Sequence, residues 1–166
     1  MSTCELSPDG SPASAASRVT LRGSRLHRFR QANSAEVPHH WDGIPLQQYK
    51  AAADHHCGVL RSVLVGDSGE LTRFHLRYFE ISPGGNTSLE HHQHEHVVVV
   101  LRGQGQVRLD ASWHELHFGD TVYIAPGEVH QLRNSGTEPF GFLCLVDADR
   151  DRPRVMADPS GLACER

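Results

Sequence analysis

The feature that most constrains this chain is its punctuation. Between residues 58 and 146, apolar runs of strand length alternate with turns rich in Gly, Pro, Asp and Ser. Residues 58–65 read as a strand, and Gly66-Asp67-Ser68-Gly69 as the turn that ends it. Residues 71–81 form a longer run, closed by Ser82-Pro83-Gly84-Gly85-Asn86. Further runs follow at 96–102, 106–110, 113–116, 121–125, 129–133 and 140–146, with Gly103-Gln104-Gly105, Phe118-Gly119-Asp120 and Pro126-Gly127 among the turns between them. Glycine frees the backbone and proline fixes it, so both break regular structure wherever they cluster. Short strands at this spacing predict an all-β sandwich or barrel.

The flanks read differently. Residues 1–18 are rich in Ser, Ala and Pro, bury too little apolar surface to offset the entropy of ordering, and are expected to form a disordered tail. Residues 19–57 are polar with apolar islands, and Trp41, Ile44, Leu46 and Tyr49 suit an N-terminal arm packed on the barrel. Residues 147–166 are charged and read as a C-terminal tail, loose or at most a turn of helix. The expected organisation is one barrel, 58–146, with an arm and two tails. At 166 residues the chain is about one domain long and can bury a core without disulfide staples.

A formal net charge of −4 gives no electrostatic reason to expect nucleic acid or an anionic membrane as partner. The longest apolar run, 97–101, falls well short of the ~20 residues a membrane helix needs. No apolar stretch of a secretory signal opens the chain. Cys4, Cys57, Cys144 and Cys164 show neither a CxxC pair nor a disulfide framework, so reduced thiols in a cytoplasmic protein are expected.

Histidine is the unusual residue. The chain has 13, four of them between His91 and His96, in a central, interrupted cluster that runs directly into a strand. Side chains alternate along extended backbone, so Glu90 and His92 point the same way, and a four-residue step reaches His96 at the start of the next strand. Val98 and Val100 share the face of His96. Downstream, Gly119-Asp120, an apolar strand and the Pro126-Gly127 corner lead to His130, at a strand end where it can face the first cluster. Imidazoles with a carboxylate suit a divalent first-row metal. The plainer reading is core or solvent-exposed histidine. His91 and His94 are expected to face outward or to support the ligands; a local shift of register would let either replace Glu90.

These two segments resemble the two motifs of the cupin superfamily, over about residues 58–146. Gly84, Glu90-x-His92, His96 and Gly103 meet the first motif; Gly119-Asp120, Pro126-Gly127, His130 and Asn134 meet the second. The resemblance implies a single double-stranded β-helix, the jelly-roll barrel. In it Glu90, His92, His96 and His130 would hold one divalent metal, Mn²⁺ first, with Fe²⁺, Co²⁺, Ni²⁺ or Zn²⁺ as alternatives. The chain departs from the pattern in one respect. Glu90 stands where the family usually has His, and His96 where it usually has Glu, so the count survives with places exchanged. A homodimer is also implied.

Tyr49-Lys50, residues 58–66, residues 77–85 and Leu89-Glu90 resemble one bacterial cupin subfamily, which includes the 1-methylthioxylulose 5-phosphate methylsulfurylases. That resemblance implies removal of the methylthio group from this keto-pentose phosphate, transfer to a thiol such as glutathione, and release of 1-deoxyxylulose 5-phosphate. The candidate catalytic residues are Cys144, if its strand face is the lumen, Tyr123 as an acid, and His94. The candidate substrate-binding residues are Arg77, Lys50 and Arg61. The plainer readings are a small buried hydrophobe for Cys144, a structural aromatic for Tyr123 and solvated charges for the three cations. Fold does not fix function. Two other functions fit the same ligands: an Fe²⁺ dioxygenase, marked by oxygen uptake, and a small-molecule-binding module without turnover.

Overall fold

The computed structural model describes residues 23–50 and 55–157. The described residues form thirteen strands: β1 (Phe29–Arg30), β2 (His40–Trp41), β3 (Gln47–Gln48), β4 (Cys57–Val65), β5 (Phe74–Asn86), β6 (Glu90–His91), β7 (His96–Arg102), β8 (Gly105–Leu109), β9 (Ser112–Leu116), β10 (Thr121–Ile124), β11 (His130–Arg133), β12 (Phe140–Asp147) and β13 (Arg154–Val155). Among the described residues no helix is long and apolar enough to cross a membrane. The all-β class is as expected, and the barrel strands lie close to the runs read from the punctuation. The disordered tail expected at 1–18 lies outside the described residues.

β3 to β13 make one antiparallel sheet that curls on itself, while β1 and β2 form a separate hairpin. β5 closes the curl because, with β4 along one edge, its other edge serves two neighbours in turn. Its first part, from Phe74 to Ile81, pairs with β12, and its end, at Asn86, pairs with β11. The strand therefore runs through Pro83-Gly84-Gly85, where the sequence suggests only a turn. Asn134 catches this stretch: its amide nitrogen donates to Ile81 O, and its backbone exchanges hydrogen bonds with Gly84 and Gly85.

The inner face follows the period-two alternation. On β7, Val98 and Val100 are buried in the core with Phe142 and Cys144 of β12 and Phe79 and Ile81 of β5. Phe79 and Phe142 stack with ring centroids 5.5 Å apart.

The outer face of β5 is covered by the arm. Tyr78, fully buried, meets the Trp41 ring edge-on at 5.0 Å and stacks with His39. Its hydroxyl lies so close to the Gly141 backbone that a Cβ there would collide with it. Below it, the buried Glu80 accepts from Tyr78 Oη (2.6 Å), the His39 backbone N–H (3.1 Å) and Arg102 Nη1 (2.9 Å). Arg102 also donates to Val37 O and Ser34 O. The arm then pairs with β4 through β3 and brings Tyr49 onto Phe79 from inside, edge-on at 5.2 Å.

Two local expectations need correction. The segment after β12 is neither loose nor helical as far as residue 157. β13 pairs with β6, Arg154 opposite His91 and Val155 opposite Glu90, and Met156 N donates to Leu89 O. Cys57 is disulfide-bonded rather than reduced; spacing along the chain carries no information about cysteines that folding brings together.

Candidate metal centre

Pairing places the site. β11 lies against β6 with His130 opposite Glu90, so both side chains rise on one face. β10 lies against β7 with Ile124 opposite His96. The Pro126-Gly127 corner locks the two halves: Gly127, at φ +81°, donates its N–H to His92 O at 2.7 Å. That backbone conformation is easy only for glycine.

The potential ligand atoms fall into two overlapping triplets that share His92. Glu90, His92 and His130 form one, and His92, His94 and His96 the other, each with its donor atoms within 4.8 Å of one another. His96 Nε2 and His92 Nε2 lie 2.8 Å apart. His130 closes the group, its ring centroid 4.8 Å from that of His92 and 5.1 Å from that of His96. Each of the three histidines has its other nitrogen occupied: His92 Nδ1 meets His94 O (2.7 Å), His130 Nδ1 meets Glu128 O (2.9 Å) and His96 Nδ1 meets Cys144 Sγ (3.0 Å). Contacts of this kind fix the tautomer and aim Nε2. Each triplet, one of three imidazoles and one of two imidazoles with a carboxylate, is a donor set that fits a divalent metal.

His94 lies nearer the centre than expected for an outward residue. It is buried, stacked flat on His92 with centroids 3.5 Å apart, and its Nδ1 contacts Asp151 Oδ1 at 2.7 Å. Asp151 also accepts the backbone N–H groups of Gln93 and His94, which hold its carboxyl down at about 2. His91 pairs with Arg154 on β6 and belongs to neither triplet.

A small cavity of about 30 Å³ opens beside the triplets, lined in part by Tyr49, Arg77, Glu90, His96, His130 and Cys144. Cys144 therefore faces the lumen. Burial pushes its thiol up, while Arg77, whose Nη2 donates to Sγ at 3.3 Å, pulls it the other way. Lys50 also reaches this region. Its Nζ donates to Glu90 Oε2 (3.0 Å) and Ser88 Oγ (3.2 Å), so its charge is spent on a candidate ligand. Arg61 projects from β4 opposite Phe79.

Tyr123 must be withdrawn from the catalytic candidates. It is 57% exposed, and its hydroxyl donates to Glu95 on the outer surface. Its neighbour Ile124 is the buried residue of that pair, and alternation sends Tyr123 outward. Tyr49, read from the sequence only as an arm residue, is the tyrosine that lines the cavity.

The buried imidazoles make stability depend on pH. Burial, then the neighbouring histidines, pull His92 down to about 4; burial first also lowers His96 and His130. The unfolded chain takes up these protons near pH 6.5 and the folded one resists, so stability falls as pH drops from about 6.5 toward 4. In chelated protein, urea unfolding at pH 7.5 and 4.5 is expected to show a loss on the order of 1–3 kcal/mol from His92. A flat profile would mean that these histidines are solvated.

Comparison with known proteins gives a consistent result. Residues 77–146 match the family model described as the Cupin domain. A 1-methylthio-D-xylulose 5-phosphate methylsulfurylase of Rhodospirillum rubrum is 39% identical over 119 residues, 71% of this chain and 75% of that protein. A crystal structure of a cupin-2 domain protein from the same organism superposes with a TM-score of 0.68 at 36% identity, covering 74% of this chain and 81% of that one. A cupin 2 conserved barrel domain protein from Rhodopseudomonas palustris superposes with a TM-score of 0.70 at 34% identity, covering 80% and 87%.

Proposed function

Because the chain belongs to the cupin family, we propose that it is a metal-dependent enzyme that removes the methylthio group from 1-methylthioxylulose 5-phosphate. The group passes to a thiol such as glutathione and leaves 1-deoxyxylulose 5-phosphate. The observation that carries this reading is a thiol at the candidate centre: Cys144 Sγ lies 3.0 Å from His96 Nδ1, inside the cavity that Glu90, His96 and His130 line. Similarity to the R. rubrum methylsulfurylase supports it. Manganese is the metal proposed, since a mixed imidazole and carboxylate set suits it.

Bound at these residues, a divalent metal would supply Lewis-acid polarisation of the ketose oxygens. The chain's own groups do the rest. Cys144 Sγ attacks the methylthio sulfur; an S–S bond forms, the C1–S bond breaks, and its electron pair passes to the sugar carbon skeleton. Protonation at C1 gives the methyl ketone. The candidate acids are the Tyr49 hydroxyl, which burial keeps protonated, and His94, which Asp151 holds in place. The external thiol then attacks the mixed disulfide, takes the methylthio group and restores Cys144. In the alternative route the external thiolate attacks the substrate directly and Cys144 is dispensable.

The test is anaerobic turnover of the methylthio-ketose phosphate with glutathione, followed by NMR of the new C1 methyl group. Product without oxygen supports the reading and excludes a dioxygenase; no product with metal-loaded protein sinks it. Cys144→Ala is expected to lower kcat roughly 10³-fold or more, as loss of a nucleophile does. Full turnover by that variant would leave direct transfer as the route.

A further inference from the structure

Arg77 lines one wall of the cavity, and two further arginines, Arg61 and Arg150, stand beyond its lining. Arg77, on β5, pairs in register with Cys144, and Arg61, on β4, pairs with Phe79, two residues further along β5. Phe79 and Cys144 line the cavity, so both arginines rise from its inner face. Arg77 is only 7% exposed and lies over the Phe79 ring. Arg150 follows β12, half-buried, with Nη1 anchored on Asp147 O at 2.8 Å. Burial, and then the charges of Arg77 and Arg61, pull its guanidinium below the ordinary range.

Two facts say that this wall awaits an anion. Arg61 Nε and Arg77 Nε are buried and find no hydrogen-bond partner among the described residues. None of the three guanidiniums makes an ion pair among the described residues, whereas Arg25, Arg30, Lys50 and Arg102 each have a carboxylate. Buried donors are nearly always satisfied, and gathering like charges without a counter-ion is costly.

We propose that Arg61, Arg77 and Arg150 form an anion subsite that takes the phosphate of a phosphorylated sugar, the sugar class resting on the proposed function. Guanidinium forks match phosphate oxygens in geometry as well as charge. Cys144 lies between this subsite and the histidines, with Arg77 on one side at 3.3 Å and His96 on the other at 3.0 Å. A substrate with its phosphate on the arginines lays its carbon chain across Cys144 toward the candidate ligands. Lys50, held by Glu90, positions that carboxylate instead of binding phosphate.

The test is calorimetric titration of metal-loaded protein with inorganic phosphate, xylulose 5-phosphate and xylulose. Wild type is expected to bind the phosphorylated sugar at least roughly 100-fold more tightly than xylulose. Arg61→Met and Arg150→Met are each expected to lose about 10-fold or more for both phosphate ligands, as fits one charged hydrogen bond. Arg150→Lys is expected to recover part of the loss. Arg133→Met, at a guanidinium stacked on Trp113, controls for net charge and leaves phosphate binding unchanged. Unchanged affinity in either the Arg61 or the Arg150 Met variant overturns the three-residue subsite, as does failure of wild type to bind either phosphate ligand. Phosphate binding that depends on the arginines, with no turnover of the methylthio-ketose phosphate, would uphold the subsite and sink the proposed reaction.

Discussion

The variant His92→Ala/His130→Ala is expected to bind no metal, where wild-type protein retains one equivalent of Mn or Fe through dialysis. His92 is the residue both triplets share, and its Nε2 sits 2.8 Å from that of His96. His130 stands in register with Glu90 and brings the second strand to the centre. Removing both leaves Glu90 and His96 from the expected set, too few donors to hold a divalent ion against water. Affinity should fall by roughly 10³-fold or more, since disturbing a supporting partner alone costs 10–100-fold. Elemental analysis of tag-free protein reads the result directly. Equal metal in wild type and double variant would move the site elsewhere; no metal in wild type, and none taken up on titration, would leave the barrel without a metal centre. Single variants then separate Glu90 from His94. Glu90→Gln removes a carboxylate that Lys50 holds at the centre, and should cost more than His94→Ala, whose ring is stacked on His92 and tied to Asp151.

Much of this arrangement is legible along the chain, because strand alternation is local. It places Val98 and Val100 on the face of His96, and Cys144 with Phe140 and Phe142, and all of these are inside. The same rule, applied through the buried Ile124, would have put Tyr123 outside. What alternation cannot supply is contact between segments distant in sequence. Asp151 reaches the His94 loop across 57 residues, and Lys50 reaches Glu90 across 40. Two-residue strands such as β13 have no period to read, so the segment carrying Arg150 and Asp151 looks like a charged tail. Its role is set by pairing with β6. Tyr49 was legible as an apolar arm residue but not as a cavity wall, since nothing local says on which side of β4 the arm turns inward.

The largest effect on stability is expected at Glu80, far from the chemistry. Its side chain is 6% exposed and that of its partner Arg102 12%. One carboxylate oxygen takes Arg102; the other takes the Tyr78 hydroxyl and the His39 backbone. Glu80→Ala would leave a mostly buried guanidinium without its counter-charge and strand a hydroxyl and an N–H. Breaking a buried ion pair by removing one partner costs about 3–5 kcal/mol, which for a chain of this size lowers Tm by roughly 10 °C or more. Glu80→Gln keeps the shape and one acceptor and should cost less. The consequence reaches the site because β5 has two faces. Tyr78 and Glu80 hold the arm outside, while Arg77 and Phe79 line the cavity, and the same arm delivers Tyr49 and Lys50 to it. In Glu80→Gln the metal content is therefore expected to hold, since no candidate ligand comes from the arm, while KM for the sugar phosphate rises. Urea unfolding and metal analysis of both variants check this. Glu80→Ala within about 1 kcal/mol of wild type would show that the network is no better than a surface ion pair, and that the arm is held by its aromatic contacts with Tyr78 and Phe79 alone.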